Sequence, residues 1–72
     1  GELLPHQAIV IENAPLGIEA AVGAGIFTIA VNTGPLSDAI LREAGASLVF
    51  SSMNHLCEAL PAIIRLTGVV TA

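Results

Sequence analysis

The chain has 72 residues, of which 54% are hydrophobic and 11% charged, and its mean hydropathy is +0.85. A globule of this size lies near the lower limit for an independent core and buries only about 60% of the surface that its unfolded chain exposes. The composition excludes intrinsic disorder, because disordered chains are poor in apolar residues. Two interpretations remain: a membrane segment, or part of a larger domain whose remainder covers the apolar excess.

The charge balance limits the partners. The chain has six acidic residues, two arginines and no lysine, so its net charge is −4. Binding to a nucleic-acid backbone needs clustered basic side chains, so we expect no nucleic-acid partner. The same deficit argues against an anionic membrane surface. The single cysteine, Cys57, has no partner for an internal disulfide, which favours a reducing, cytoplasmic location.

The best candidate for a membrane span is the apolar window of residues 16–31, in which Glu19 is the only charge. This window falls short of the roughly 20 apolar residues that a spanning helix needs. Glycines at positions 17, 23 and 25 interrupt it, and it has no flanking Lys or Arg and no interfacial Trp or Tyr. We therefore expect no membrane partner.

Three short apolar runs predict strands, at residues 8–11, 27–31 and 47–50. They are rich in β-branched residues and show no regular polar alternation, which is typical of parallel strands buried on both faces. Polar or turn-forming residues follow each run, so each strand is expected to be short.

The first predicted helix begins at Pro15, a residue tolerated in a first turn, and Asn13 or Ala14 caps it. Four positions with the spacing of one helical face are expected to be buried: Ile18, Ala21, Val22 and Gly25. Gly25 is also the natural stop of this helix.

The second predicted helix begins after the cap residue Ser37 and ends at Gly45. One of the serines at positions 51 and 52 caps the third. The apolar face of the third helix is expected at Met53, Leu56, Cys57 and Leu60. Pro61 should end or kink this helix, and a second helical piece should run to about residue 66.

The order strand, helix, strand, helix, strand, helix is typical of parallel strands joined by right-handed crossovers. It predicts an α/β fold: the C-terminal part of a doubly wound parallel sheet in a three-layer, Rossmann-like core. About three strands and three helices make only half of such a sheet, and its edge would be unusually apolar if exposed. We therefore expect a further strand of a larger domain beside the strand that ends at Glu12.

Candidate chemistry lies at the carboxyl ends of the strands, where open parallel sheets bind their ligands. Two loops offer polar groups there, Glu12-Asn13 and Asn32-Thr33. A carboxylate followed by an amide supplies two oxygen ligands of the kind that Mg²⁺ binds. The alternative is structural: Asn13 caps the following helix, and Glu12 complements the positive end of its dipole. Spacing alone slightly favours the structural role.

Two other possible motifs, a dinucleotide fingerprint and a zinc site, are excluded by the positions of their residues. Gly23-Ala24-Gly25 begins like a dinucleotide fingerprint, but position 28 is Thr and the segment follows a helix instead of a strand. His55, Cys57 and Glu58 share one predicted helix, where only positions 55 and 58 are neighbours. A zinc site needs three or four converging ligands, so we expect none here.

A resemblance to a known family lies in residues 9–21, which read IVIENAPLGIEAA, and in the Ala24-Gly25 pair and the strand that follow. They resemble the fourth conserved motif of the haloacid dehalogenase superfamily, most closely that of the β-phosphoglucomutase-like phosphatases and phosphomutases. The motif is a buried strand ending in Glu-Asp or Asp-Asp, followed by a small-residue helix. The similarity extends more loosely to about residue 66. It implies that residues 1–72 are the carboxyl-terminal third of a core domain, without its cap domain.

The resemblance implies Mg²⁺-dependent phosphoryl transfer through an aspartyl-phosphate, and the expected substrate is a small phosphorylated metabolite, specifically a sugar phosphate. It places Glu12 and Asn13 on the pair that holds Mg²⁺. Asn13 stands where the family has a second acid, so the pair carries one negative charge instead of two. The chain contains no Asp-x-Asp and no lysine, and its only aspartate, Asp38, starts a helix. The catalytic aspartates and the phosphate-binding lysine are thus missing, and we expect the chain alone to be inactive.

Two functional hypotheses follow. The first is part of a Mg²⁺-dependent phosphatase or phosphomutase, supplying part of the metal site. The second is a non-catalytic α/β half-domain that oligomerises through its exposed sheet edge. Sedimentation at increasing concentration distinguishes the two.

Overall fold

The computed structural model describes residues 8–67, in which strands and helices alternate. The elements in chain order are β1 (Ile9–Glu12), α1 (Pro15–Gly23), β2 (Phe27–Val31), α2 (Asp38–Glu43), β3 (Leu48–Phe50) and α3 (Met53–Thr67). The strands form one parallel sheet in the order β1-β2-β3. The predicted α/β architecture is therefore confirmed.

The two clusters of buried side chains lie on opposite faces of this sheet. One contains Ile18, Ala30, Leu41 and Ala46, and so joins β2 to α1 and α2. The other contains Ile29, Val31, Leu56 and Ile63, and joins β2 to α3. Because successive side chains of a strand point to opposite faces, β2 contributes to both clusters. The result is the predicted three-layer arrangement.

Burial differs between the central strand and the two edge strands. Positions 28–31 of β2 are buried, as expected for a strand covered on both faces. The prediction of strands buried on both faces holds for β2 but not, within residues 8–67, for β1 and β3. β1 and β3 lie at the two edges of the described sheet, and Ile11 of β1 remains 45% exposed. Each edge strand has a neighbour on one side only within residues 8–67.

Helices α1 and α2 end in the same way, through a glycine with positive φ. Gly25 has φ 78° and Gly45 has φ 117°, conformations that are accessible to glycine at little cost. The N–H of Ile26 donates to the carbonyl of Ala21 at 3.1 Å, and that of Gly25 to the carbonyl of Val22 at 2.9 Å. These two bonds form a Schellman motif, and the equivalent pair closes α2. The predicted stops at both glycines are confirmed.

Helix α3 corrects the prediction for Pro61, which lies inside one continuous helix of 15 residues. A proline in a helix interior removes one backbone hydrogen bond and disfavours the helix. Here Ile63, just beyond the proline, is buried in the cluster that contains Ile29 and Val31 of β2. The burial of Ile63 holds the last turns in place, and this contact is invisible in the local sequence.

The buried face of α3 was only partly predicted. Leu56 is buried and Leu60 is half-buried, but Met53 and Cys57 are exposed. The face instead continues through Ala59 to Ile63. In α1, Val22 is likewise more exposed than predicted.

The predicted serine caps had different outcomes. Ser52 caps α3, because its Oγ accepts the backbone N–H of His55 at 3.2 Å. Ser37 occupies the cap position of α2, but its side chain makes no capping hydrogen bond. Ala14 occupies the cap position of α1 and also lacks one.

The apolar window of residues 16–31 is divided between α1 and β2. No helix within residues 8–67 has the length and apolar character needed to cross a membrane.

Candidate functional site

A cleft of about 330 Å³ opens at the carboxyl ends of β1 and β2. Its lining residues are Ile11, Glu12, Asn13, Val31, Thr33 and Met53. The parallel register pairs Glu12 with Ala30, so β1 and β2 end side by side. The turn after β1 then places Asn13 in the cleft, and the loop after β2 places Thr33 there. Glu12, Asn13 and Thr33, which lie in the two loops expected to carry the chemistry, thus line one cleft.

The Glu12 carboxylate is bonded to the backbone at the start of α1. Its Oε2 accepts the N–H of Asn13 at 2.8 Å and the N–H of Ala14 at 3.1 Å. These N–H groups belong to the residue before the helix cap and to the cap residue Ala14 itself, which has no capping side chain. A negative charge at this end also complements the helix dipole. The structural role considered for Glu12 is therefore present.

Asn13 does not have the structural role considered for it. The cap position belongs to Ala14, and the Asn13 side chain makes no hydrogen bond with any residue of the described part of the chain. Asn13 is exposed and lines the cleft. Its amide oxygen is therefore free to bind a ligand there.

Gly17 is a residue of this site that sequence reasoning missed. A Cβ built at Gly17 would lie 2.5 Å from Oε1 and 2.8 Å from Oε2 of Glu12, well inside van der Waals contact. Because glycine has no side chain, Gly17 leaves room for the Glu12 carboxylate at its observed position. The available signal was a glycine in the first turn of α1, five residues after the acidic residue, where most other residues would favour the helix more.

Asn32, the other polar residue predicted at this edge, does not line the cleft. Its Nδ2 donates to the carbonyl of Leu36 at 2.8 Å and to Oδ1 of Asp38 at 2.7 Å. Its backbone N–H donates to the carbonyl of Phe50 at 2.7 Å. Asn32 therefore organises the loop between β2 and α2, and Thr33 is the member of that pair which reaches the cleft.

The donors in the cleft are all oxygens: a carboxylate, a side-chain amide and a hydroxyl. Mg²⁺ prefers such ligands and needs about six of them, some of which are usually water. Residues 8–67 contain no group of three His, Cys, Asp or Glu side chains placed to hold a metal. The chain thus fits Mg²⁺ in the kind of donor but provides only part of a complete site.

The residues at the start of α3 form a separate group. Both serine hydroxyls, of Ser51 and Ser52, lie within hydrogen-bonding distance of Nδ1 of His55, at 3.0 and 2.9 Å. Cys57 is a free, exposed thiol. His55 is thus engaged by the two serines at the start of α3.

Comparison with solved structures identifies a relative that is informative about the family. No family model matches the chain, and no curated protein does. A solved structure described as "Putative beta-phosphoglucomutase from Bacteroides vulgatus" matches with 58% sequence identity and a TM-score of 0.76. The match covers 79% of this chain and 24% of that protein, so the chain spans about a quarter of its relative's length. The resemblance carried by residues 9–21 is thereby confirmed: over the matched part, the chain is similar in sequence and in fold to a protein described as a putative β-phosphoglucomutase.

Proposed function

We propose that the chain supplies one side of the active site of a Mg²⁺-dependent phosphatase or phosphomutase, and that Glu12 and Asn13 hold part of the metal site. One observation carries the proposal: Glu12, Asn13 and Thr33 line a single cleft at the carboxyl ends of two parallel strands. This is where open α/β sheets bind their ligands. The identity of 58% to a protein named for phosphoglucomutase chemistry supports the same conclusion.

The hydrogen bonds of Glu12 and the exposure of Asn13 support these roles. Oε2 of Glu12 is occupied by two backbone N–H groups, which leaves Oε1 as its metal-binding oxygen. Asn13 contributes its amide oxygen, a neutral ligand that attracts a cation less than a carboxylate does. When bound, Mg²⁺ would neutralise charge on a phosphoryl group and orient it. The Thr33 hydroxyl lines the same cleft and is available to a water molecule or a substrate oxygen.

The nucleophile of the proposed reaction has to come from outside this chain. The only aspartate, Asp38, is exposed at the start of α2 and accepts a hydrogen bond from Asn32. We therefore propose that residues 1–72 form the carboxyl-terminal third of a core domain, and that an aspartate elsewhere in the intact protein forms the aspartyl-phosphate. The share of 24% that the chain covers of its relative supports this division.

The proposed substrate is a small phosphorylated metabolite, with a sugar phosphate as the specific candidate. It rests on the relative's name and on the size of the cleft, about 330 Å³, which suits a small ligand.

A cytoplasmic location stays a prediction, supported by the free thiol of Cys57.

The metal site can be tested by NMR with Mn²⁺ as a paramagnetic substitute for Mg²⁺. We expect Mn²⁺ to broaden the amide signals of Asn13 and Thr33 first, and excess Mg²⁺ to reverse the broadening. Glu12→Gln should weaken the effect by about tenfold, in keeping with the loss of the only charged ligand. Glu43→Gln is the matched control, because Glu43 is exposed at the last turn of α2. Equal effects of the two substitutions, or no selective broadening, would contradict the proposal.

The activity can be tested with p-nitrophenyl phosphate and Mg²⁺. We expect no turnover by the purified 72-residue chain, because it lacks the nucleophile. Turnover that Glu12→Gln abolishes would show that the chain carries a complete active site and would overturn the division proposed above.

A second function is favoured by the edge position of β1. This strand pairs only with β2 within the described residues, and Ile11 on it is 45% exposed. Such an edge is a template for pairing with another strand. If the chain is instead a non-catalytic half-domain that self-associates there, its sedimentation coefficient should rise with concentration. A monomer at high concentration would exclude this alternative.

A further inference from the structure

We propose that Gly17 is a positioning residue of the cleft: its missing side chain leaves room for the Glu12 carboxylate at the start of α1, and the carboxylate fixes the turn that presents Asn13. The part of this inference that concerns the metal rests on the proposed function. The part that concerns the carboxylate and the turn does not.

The space at Gly17 is specific to this position of α1. A Cβ at Gly17 would meet both carboxylate oxygens of Glu12, at 2.5 and 2.8 Å, distances that Cβ atoms essentially never show. Gly23 lies in the same helix, and a Cβ placed on it would have nothing within 4 Å. The two glycines therefore form a matched pair, in which only one substitution displaces a functional side chain.

The carboxylate in turn holds the two residues that connect β1 to α1. Its Oε2 binds the N–H groups of Asn13 and Ala14, so the backbone on both sides of the Asn13 side chain is tied to one oxygen atom. Hydrogen bonds to an ionised acceptor are among the stronger ones. A side chain at position 17 would push the carboxylate off both donors. The turn would loosen, and the Asn13 amide would lose its fixed direction into the cleft.

The first test needs no metal. Amide hydrogen exchange at one fixed pH should show Asn13 and Ala14 protected in the wild-type chain. Gly17→Ala should lower their protection by about tenfold, the loss expected for a hydrogen bond of ordinary strength. Gly23→Ala should leave both rates unchanged. Unchanged protection of Asn13 and Ala14 in Gly17→Ala would overturn the proposal.

The second test is a double-mutant cycle between positions 12 and 17. It separates the effect of the clash with the Glu12 carboxylate from any general effect of alanine at position 17. Ala exceeds Gly in helix propensity, so Gly23→Ala should raise the folding equilibrium constant by about two- to fivefold. Gly17→Ala should raise it less while Glu12 is present, because the flexible Glu12 side chain has to shift and gives up its two backbone hydrogen bonds. In a Glu12→Ala background the carboxylate is gone, and Gly17→Ala should then raise the constant as Gly23→Ala does. If Gly17→Ala does not fold, recovery of folding in Glu12→Ala/Gly17→Ala supports the proposal, and failure to recover contradicts it.

The third test links the turn to the metal site, with Mn²⁺ as the probe. Gly17→Ala should weaken the selective broadening at Asn13 by about tenfold, the usual effect of losing a group that orients a metal ligand. Gly23→Ala should bind Mn²⁺ like the wild type. If the wild-type chain shows no selective broadening, the proposed function fails, and the exchange and folding tests still decide the role of Gly17. Equal Mn²⁺ binding by both alanine variants would overturn the positioning role.

Discussion

Val22 and Gly45 are in close contact across the two helices that cover one face of the sheet. A Cβ at position 45 would lie 2.8 Å from Cγ2 of Val22. Gly45 also has φ 117°, which side-chain-bearing residues rarely adopt. Gly45 is therefore constrained twice, by its conformation and by its neighbour. We expect Gly45→Ala to destabilise the fold by about 1–3 kcal/mol, measured as a lower urea midpoint at unchanged slope.

The two constraints on Gly45 can be separated. Gly45→Ala in a Val22→Ala background removes the contact but keeps the backbone strain, so it should cost less than in the presence of Val22. Gly34→Ala is the control, because Gly34 lies in a loop with open space around it and no positive φ. Similar midpoints for Gly34→Ala and Gly45→Ala would refute the assignment.

The loop between β2 and α2 depends on Asn32, which bonds both to the carbonyl of Leu36 and to the carboxylate of Asp38. We expect Asn32→Ala to lower the free energy of unfolding by about 1 kcal/mol, since the bonds are partly exposed to water. Asp38→Ala should have a smaller effect, and the two losses should not add, because they remove one shared bond. Asn13→Ala, at an exposed asparagine without such bonds, should be close to neutral. Additive losses for Asn32 and Asp38 would argue against the bond.

Pro61 is a local defect in α3 that tertiary packing tolerates. Proline at this position gives the carbonyl of Cys57 no N–H donor, and Pro61 itself is exposed. Alanine would restore the donor and the helix propensity. We therefore expect Pro61→Ala to raise the free energy of unfolding by about 1–3 kcal/mol. Ala62→Gly, at the exposed neighbouring position, is the control, and it should lower the free energy of unfolding. A destabilising Pro61→Ala would mean that the proline supports a bend which the packing requires.

The features predicted correctly from the sequence are those that local chemistry determines. Apolar runs predicted the strands, and Gly25 and Gly45 predicted the ends of α1 and α2, because only glycine adopts their φ values cheaply. The parallel order of the strands also predicted which edge of the sheet would carry the polar groups. Asn13 and Thr33 were therefore placed correctly without any knowledge of their contacts.

The features that were missed depend on contacts between residues distant along the chain or on the detailed geometry of a turn. Ile63 lies beyond Pro61 in α3 and is buried in one cluster with Ile29 and Val31 of β2, which are more than 30 residues earlier in the chain. Asn32 bonds to positions four and six residues later, which spacing alone did not indicate. The role of Gly17 depends on where the Glu12 carboxylate lies, and sequence reasoning places a side chain on a face but not its terminal oxygens.

The neutral side chain of Asn13 in the cleft gives a prediction about charge. Asn13→Asp restores the second carboxylate of the family's motif, next to Glu12, and two negative charges attract a divalent cation more strongly than one. We expect the variant to bind Mn²⁺ about tenfold more tightly than the wild type, measured by amide line broadening at low salt. Ser47→Asp is the control: it adds the same charge at the amino end of β3, away from the cleft. Equal gains from both substitutions would show that the net charge of the chain, and not the cleft, determines metal binding.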